Sequence, residues 1–320
     1  MAEQLLLTGA TGFIGTRVFR ALCEDGWSVR CLTRRPEEAR QARPEREWVG
    51  GDAEDGEALA RAMDGCRAAF YLIHGMAELQ PGWVEREIAT AERFAQAAAQ
   101  SGVERIVYLG GVAPAGPPSL HLQARLRTGE ALRAGKVPCL ELRAAMIVGA
   151  GSASWTIVRD LAARLPAMVL PAWLSHRSEP VAVDNVVSAL VRATRMPLPG
   201  SDLWDLPGPE ALSGVEILLR VAACMGRKPL LLHVPFVTPK LSSHWIRLVT
   251  RTEHRLAAEL VEGLTSDLLA ARCGFWEAAG LPPPLNLEEA ARRALADDSD
   301  HLSPGARLLE TLAGALMRRA

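Results

Sequence analysis

The sequence predicts an α/β protein built on a doubly wound parallel sheet, and three observations carry that expectation. In LLLTGATGFIGTR, residues 5 to 17, an apolar run leads directly into Gly9, Gly12 and Gly15 at three-residue intervals. Short apolar runs then alternate with segments of helical periodicity over roughly the first 150 residues. The runs show little polar alternation, as strands covered by helices on both faces require.

The elements follow in order. Leu5 to Thr8 is the first strand, and Phe13, Ile14, Val18, Ala21 and Leu22 recur at helical spacing until Asp25-Gly26 stops the helix. Trp27 to Leu32 reads as the second strand, Glu47 to Val49 as the third, and Ala68 to Ile73 as a fully buried fourth. Val84, Ile88, Ala91, Phe94, Ala95 and Ala98 share one helical face that ends at Ser101-Gly102. Ile106 to Leu109 is the fifth strand, and Cys139 to Val148 contains the sixth. Beyond Gly149 the pattern loosens into a helix near Ser154 to Leu165, a strand over Val181 to Val183 and a helix that Asp184 is expected to cap. Proline-rich joints separate shorter elements at 196–200, 206–209 and 281–284. The expected division is a nucleotide-binding core over 1–150 and a mixed α/β substrate lobe with C-terminal helices over 151–320, with Val181 to Arg195 returning to the core.

Composition excludes several classes. Of 320 residues, 49% are hydrophobic and 23% charged, with a net charge of -1, which suits neither a disordered chain nor a polyanion-binding surface. No nucleic-acid partner is expected. The opening MAEQLLLTGA lacks a basic segment before its apolar run, and no apolar stretch reaches the roughly 20 residues of a membrane span. A soluble, cytoplasmic protein, monomeric or homodimeric, is the expectation. Six scattered cysteines without a CxxC pair suggest neither a metal site nor a disulfide framework, and read as small buried hydrophobes. Lysines stand at 136, 228 and 240 alone, and the two tyrosines are Tyr71 and Tyr108.

The glycines have a physical use. One permits the turn after the strand, a second admits a pyrophosphate to bare backbone, and a third lets the new helix pack closely. The helix start then offers unpaired N–H groups and the positive end of its dipole. The expected cradle comprises Thr8, Gly9, Thr11, Gly12, Phe13, Ile14 and Gly15, with Ala53, Leu72 and Gly110 lining it from later strand ends. In VRCLTRRPEEA, Arg34 and Arg35 stand where an NAD-selective carboxylate would accept from the ribose hydroxyls. Two cations there favour a 2′-phosphate, so NADP is the expected cofactor and NAD the alternative. Asp52, in GGDAED, is placed either to accept from the adenine amino group or to form a turn.

TGATGFIG, LTRRPE, GDAED, YLIHGM, RIVYLGG, ELRAAMIVG and RSEPVAVDNV, in this order, resemble the atypical branch of the short-chain dehydrogenase/reductase superfamily. More narrowly they are similar to its bacterial NAD(P)H-binding members of the NmrA-like and NAD-dependent epimerase-like kind, and to the nucleotide-binding accessory subunit of respiratory complex I. The resemblance covers roughly residues 4 to 270. Some of those proteins continue into a further C-terminal domain, and none is expected here. Active members of that family use a serine after the fifth strand and a Tyr-x-x-x-Lys pair on the next helix. Here the resemblance aligns a glycine of Gly110-Gly111 with the serine, His121 with the tyrosine and Arg125 with the lysine.

His121 and Arg125 share a helical face, one turn apart. Imidazole can exchange a proton near neutral pH, although an adjacent cation weakens it as an acid, and Arg125 can bond ribose hydroxyls. A helix-start histidine beside a solvated arginine face is the alternative. His74, ending the fourth strand, either lines the cofactor pocket or caps a loop. His176 and Arg177 precede the 181–183 strand, where proteins of the superfamily that the chain resembles orient substrate groups; the resemblance implies that role, with Arg177 as an anion clamp, and an ordinary surface loop is the alternative. Leu308, Leu309, Leu312 and Leu316 form a helical stripe ending in Arg318-Arg319, expected to dock on its own domain, with a dimer face or peripheral membrane contact as alternatives. Two functions remain: an NADP-dependent oxidoreductase or isomerase on a small, fairly apolar organic substrate, or a non-catalytic dinucleotide-binding redox sensor or respiratory-complex accessory protein.

Overall fold

The computed structural model describes residues 2–73, 82–233, 250, 265–299 and 310. The strands are β1 (Gln4–Leu7), β2 (Ser28–Thr33), β3 (Glu47–Gly50), β4 (Cys66–Tyr71), β5 (Arg105–Gly111), β6 (Cys139–Ala144), β7 (Ile147–Val148), β8 (Ala167–Leu170), β9 (Arg177–Ser178), β10 (Val181–Ala182), β11 (Asp202–Asp205), β12 (Leu212–Ser213) and β13 (Leu230–His233). The helices are α1 (Phe13–Glu24), α2 (Pro36–Ala42), α3 (Gly56–Met63), α4 (Trp83–Gln100), α5 (Leu120–Arg133), α6 (Ala153–Arg164), α7 (Val183–Ala193), α8 (Gly214–Cys224), α9 (Phe275–Ala278) and α10 (Leu287–Ser299).

Seven strands form one sheet in the order β11-β6-β5-β4-β1-β2-β3, and every pairing within it is parallel. The chain builds outward from β1 through β2 to β3, then crosses back to lay β4 on the other side of β1. That reversal opens a crevice beyond the carboxyl ends of β1 and β4, where open α/β sheets receive ligands.

Period-2 geometry explains why β1 is apolar at successive positions: neighbouring residues serve opposite faces, and both faces are covered. Leu5 and Leu7 face a core with Val18 and Leu22 of α1 and Val186, Ala189 and Leu190 of α7. Leu6, between them, faces the opposite core with Leu59 and Met63 of α3 and Phe94 and Ala98 of α4. A third cluster sits on the C-terminal side, where Trp155 of α6 packs with Leu218 and Val221 of α8 and Ala291 of α10.

Some local expectations are corrected. The 139–148 segment divides into β6 and β7. Ala182 takes the N-cap position of α7, and Asp184 lies inside its first turn, where it accepts from Arg293 at 3.0 Å. The helix therefore begins without a side-chain cap because the strand ends one residue sooner than its apolar run suggests. Cys31, Cys66 and Cys139 are buried as small hydrophobes, but Cys23 and Cys273 are exposed. Among the described residues, no helix is long and apolar enough to cross a membrane. His74 and the stripe from Leu308 to Arg319 lie outside the described residues.

Candidate functional site

The site begins at the β1–α1 turn. Gly9 has φ 65, a left-handed conformation that L side chains rarely adopt. A Cβ there would lie 2.2 Å from the Leu72 carbonyl oxygen, so the turn presses against the end of β4. A Cβ on Gly15 would meet the Gly9 carbonyl oxygen at 2.1 Å, so the first turn of α1 rests on the same peptide. Gly12 is the N-cap, with no side chain to cap the helix and no acidic residue in the first turn. The helix start therefore keeps its amide donors and its positive end for an incoming anion. Thr11 and Phe13 flank this start, and Arg17 stacks on the Phe13 ring at 4.5 Å while donating to the Ala150 carbonyl.

Thr8 is wholly buried. Its hydroxyl donates to the Phe70 carbonyl and accepts from the Leu72 N–H. Its side chain thus joins β1 to β4, so Thr8 supports the turn from within the sheet. Ile14 and Leu72 are partly buried against the core beneath. Arg46, which sequence reasoning missed, is almost fully buried and donates to the Ala10 carbonyl at 2.9 Å. Its guanidinium lies over the Phe19 ring at 4.1 Å. Thr16 donates to the same carbonyl, so the turn is held from behind by two donors.

At the end of β2, Arg34 is exposed. Arg35 pairs with Glu38 at 3.4 Å with both side chains largely in solvent, an arrangement that fixes neither. Asp52 accepts from the Glu54 N–H and so forms a turn, while Ala53 behind it is buried.

The end of β5 is close-packed. A Cβ on Gly110 would lie 2.7 Å from a Glu141 carboxylate oxygen, and one on Gly111 would lie 2.7 Å from Leu122. Glu141, fully buried in β6, accepts from Arg133 at 2.8 Å and Arg143 at 2.7 Å. A lone glutamate inside the apolar strand CLELRA was the available signal for this buried ion triad.

Ser119 caps α5 by accepting from the Leu122 N–H, and this places His121 and Arg125 together. His121 stacks parallel to Trp83 at 6.5 Å. Burial first, and the Arg125 charge second, push its pKa down to about 4, so the imidazole is neutral through the physiological range. Arg125 donates to the Leu109 carbonyl and accepts from the Tyr108 hydroxyl through its own carbonyl. Its Nε is buried and unbonded, as is the Trp83 indole N–H. The uncapped start of α1 and the exposed Arg34 and Arg35 beyond β2 offer donors of the kind a dinucleotide's phosphates require.

His176 and Arg177 follow a short 3-10 turn at Ala172–Ser175. His176 Nδ1 lies 3.0 Å from an Asp267 carboxylate oxygen, which also accepts the Arg177 N–H at 2.9 Å. The Arg177 guanidinium donates to the Ala211 carbonyl. Asp267 in turn accepts from the Ala115 N–H through its carbonyl, which ties this cluster to the loop leaving β5.

Comparison with known proteins agrees with this geometry. A family model described as NAD(P)H-binding matches residues 9–163. The chain is 32% identical over 234 residues to ceramide reductase of Caulobacter vibrioides, covering 72% of this chain and 73% of that protein. It is 34% identical over 125 residues to a putative dihydroflavonol 4-reductase of Synechocystis, covering 36% of this chain and 35% of the relative. In fold, it superposes on the NADP(H) complex of Citrobacter triphenylmethane reductase with TM-score 0.71 and 18% identity, covering 91% of this chain and 99% of that one. UDP-glucose 4-epimerase of Thermotoga maritima, solved with UDP-glucose, gives TM-score 0.70 at 16% identity over 94% of this chain and 100% of that one. The chain belongs to the NAD(P)H-binding short-chain dehydrogenase/reductase superfamily, with reductases among its relatives.

Proposed function

We propose that the protein is an NADP(H)-dependent oxidoreductase acting on a carbonyl or alcohol carbon of a small, largely apolar organic molecule, without the usual Ser-Tyr-Lys set. The observation that carries this reading is the pairing of an uncapped, glycine-bounded helix start with an exposed Arg34 at the end of β2. When bound, the nicotinamide supplies hydride-transfer chemistry. The chain's own contributions are positional. The first-turn amides of α1 take the diphosphate, Arg34 and Arg35 take the 2′-phosphate, and Arg125 donates to the nicotinamide ribose at the end of β5. His176 and Arg177 border the substrate side. Asp52 keeps one carboxylate oxygen for the adenine amino group while the other holds its turn.

The relatives' printed names, reductases of a ceramide and of a dihydroflavonol, support an apolar organic substrate. A serine Cβ at Gly110 would lie 2.7 Å from the carboxylate of the buried, twice-paired Glu141, which supports a route that dispenses with a serine there. Calorimetric titration of the purified chain with NADPH and NADH tests the reading: NADPH binds more tightly, and equal affinities or no binding refute it. The alternative, a dinucleotide-binding sensor or accessory protein in the same cytoplasmic setting, predicts the same binding but no NADPH consumption with any carbonyl compound.

A further inference from the structure

Resting on that oxidoreductase reading, we propose that His176, oriented by Asp267, is the group that hands a proton to the substrate oxygen. Geometry separates it from His121. The His121 ring is stacked against Trp83 in a closed space beside Arg125, whereas the His176 side chain is 39% exposed and in reach of solvent protons.

The arrangement is a histidine with a fixed orienter. Asp267 does not depend on His176 for its place: its Oδ1 accepts the Arg177 N–H, and the Leu268 N–H donates to the Arg177 carbonyl. The histidine therefore meets an acceptor already positioned by backbone bonds. A carboxylate 3.0 Å from Nδ1 selects the Nδ1–H tautomer and leaves Nε2 for a second partner. Neighbouring bonds to the Arg177 amide and to His176 hold the Asp267 carboxyl below the usual carboxylate range, so it stays charged. Among the described residues, Asp267 bonds the ring and Arg177 shares its carboxylate, while Glu216, in the first turn of α8, lies near Arg177, and that helix begins where the Gly214 N–H donates to the His176 carbonyl. The β5–α5 loop, Val112 to Pro118, packs here through Ala115 and contains no ionisable side chain. Through Asp267 and Ala115, His176 is thus joined to the loop that leaves the carboxyl end of β5.

The step balances for a carbonyl substrate. Hydride from NADPH forms the new C–H bond, the C=O π pair moves to oxygen, and the Nε2–H proton of the imidazolium forms the O–H bond. The products are an alcohol, NADP and neutral His176, which is reprotonated from water.

The test uses the full chain in wild-type, His176→Ala and Asp267→Asn forms. Nitrogen NMR of histidine-labelled protein should show the Nδ1–H tautomer of His176 in the wild type and a loss of that preference in Asp267→Asn. NADPH oxidation with the probes benzil and cinnamaldehyde should fall about 100-fold in kcat for His176→Ala, with unchanged NADPH affinity, and added imidazole should restore part of it. An Nε2–H tautomer, an unaffected kcat, or a wild type that binds NADPH yet never oxidises it overturns the proposal. Absence of NADPH binding instead refutes the cofactor reading on which it rests.

Discussion

Gly15 and Gly9 meet backbone to backbone, with no room for a single methyl group: a Cβ on Gly15 would sit 2.1 Å from the Gly9 carbonyl oxygen and 2.9 Å from the Ala10 Cα. The obstacle is main chain, which cannot rotate away as a side-chain end can. Gly15→Ala should therefore force α1 off the turn, lowering stability by about 1–3 kcal/mol and weakening NADPH binding at least tenfold. Gly56, at the start of α3, has open space around its Cα and an ordinary backbone. Gly56→Ala should be neutral or stabilising by up to about 1 kcal/mol. Chemical denaturation with NADPH fluorescence titration compares the two. Equal effects would contradict the close-contact argument.

Arg34 presents an exposed guanidinium beyond β2. Losing one charge-assisted bond to a phosphate costs on the order of 1.5 kcal/mol, about tenfold in affinity. Arg34→Glu should weaken NADPH by at least that factor and leave NADH within about twofold. Calorimetry on both cofactors reads the difference, and a parallel loss for both would remove Arg34 from phosphate recognition.

His121 couples stability to pH. Its pKa falls from 6.5 to about 4 on folding because burial and Arg125 disfavour the charged ring. Below about pH 6.5 the unfolded chain takes up a proton that the folded chain refuses, so this contribution is fully present above pH 6.5 and is lost as pH falls toward 4. Its full size is about 3 kcal/mol. Urea denaturation at pH 7 and pH 4.5 should show a smaller acid loss in His121→Phe than in the wild type. Identical pH slopes would mean that the imidazole is not held neutral by its surroundings.

Glu141 lies wholly inside the sheet between Arg133 and Arg143. Glu141→Gln leaves two arginines facing each other without their anion, which should cost about 3–5 kcal/mol. A change in denaturation midpoint smaller than that of an ordinary surface substitution would show that the triad contributes little.

The fold was legible because its determinants are local. Apolar runs of strand length, helical periodicity between them and a glycine-punctuated first turn suffice to order β1 through β6, and the parallel sheet follows from their alternation. The cap of α7 was misjudged because Ala182 and Asp184 are separated by one residue, and only the backbone path decides which position precedes the first helical bond. The site divides in the same way. Gly9, Gly12 and Gly15 announce themselves by spacing, but the buried Arg46 carries no local mark, since the Ala10 carbonyl that receives it is 36 residues away.

By itself, then, the sequence determined the alternation of strands and helices and the glycine turn, because both arise from the character of adjacent residues. The tertiary structure alone decided that Glu141 fills the space beside Gly110, that His121 is stacked and neutral, and that Asp267 stands against His176 from 91 residues away. Charge state and hydrogen-bond partnership depend on what surrounds a group in space. Chain order does not specify that until the sheet and its loops have closed.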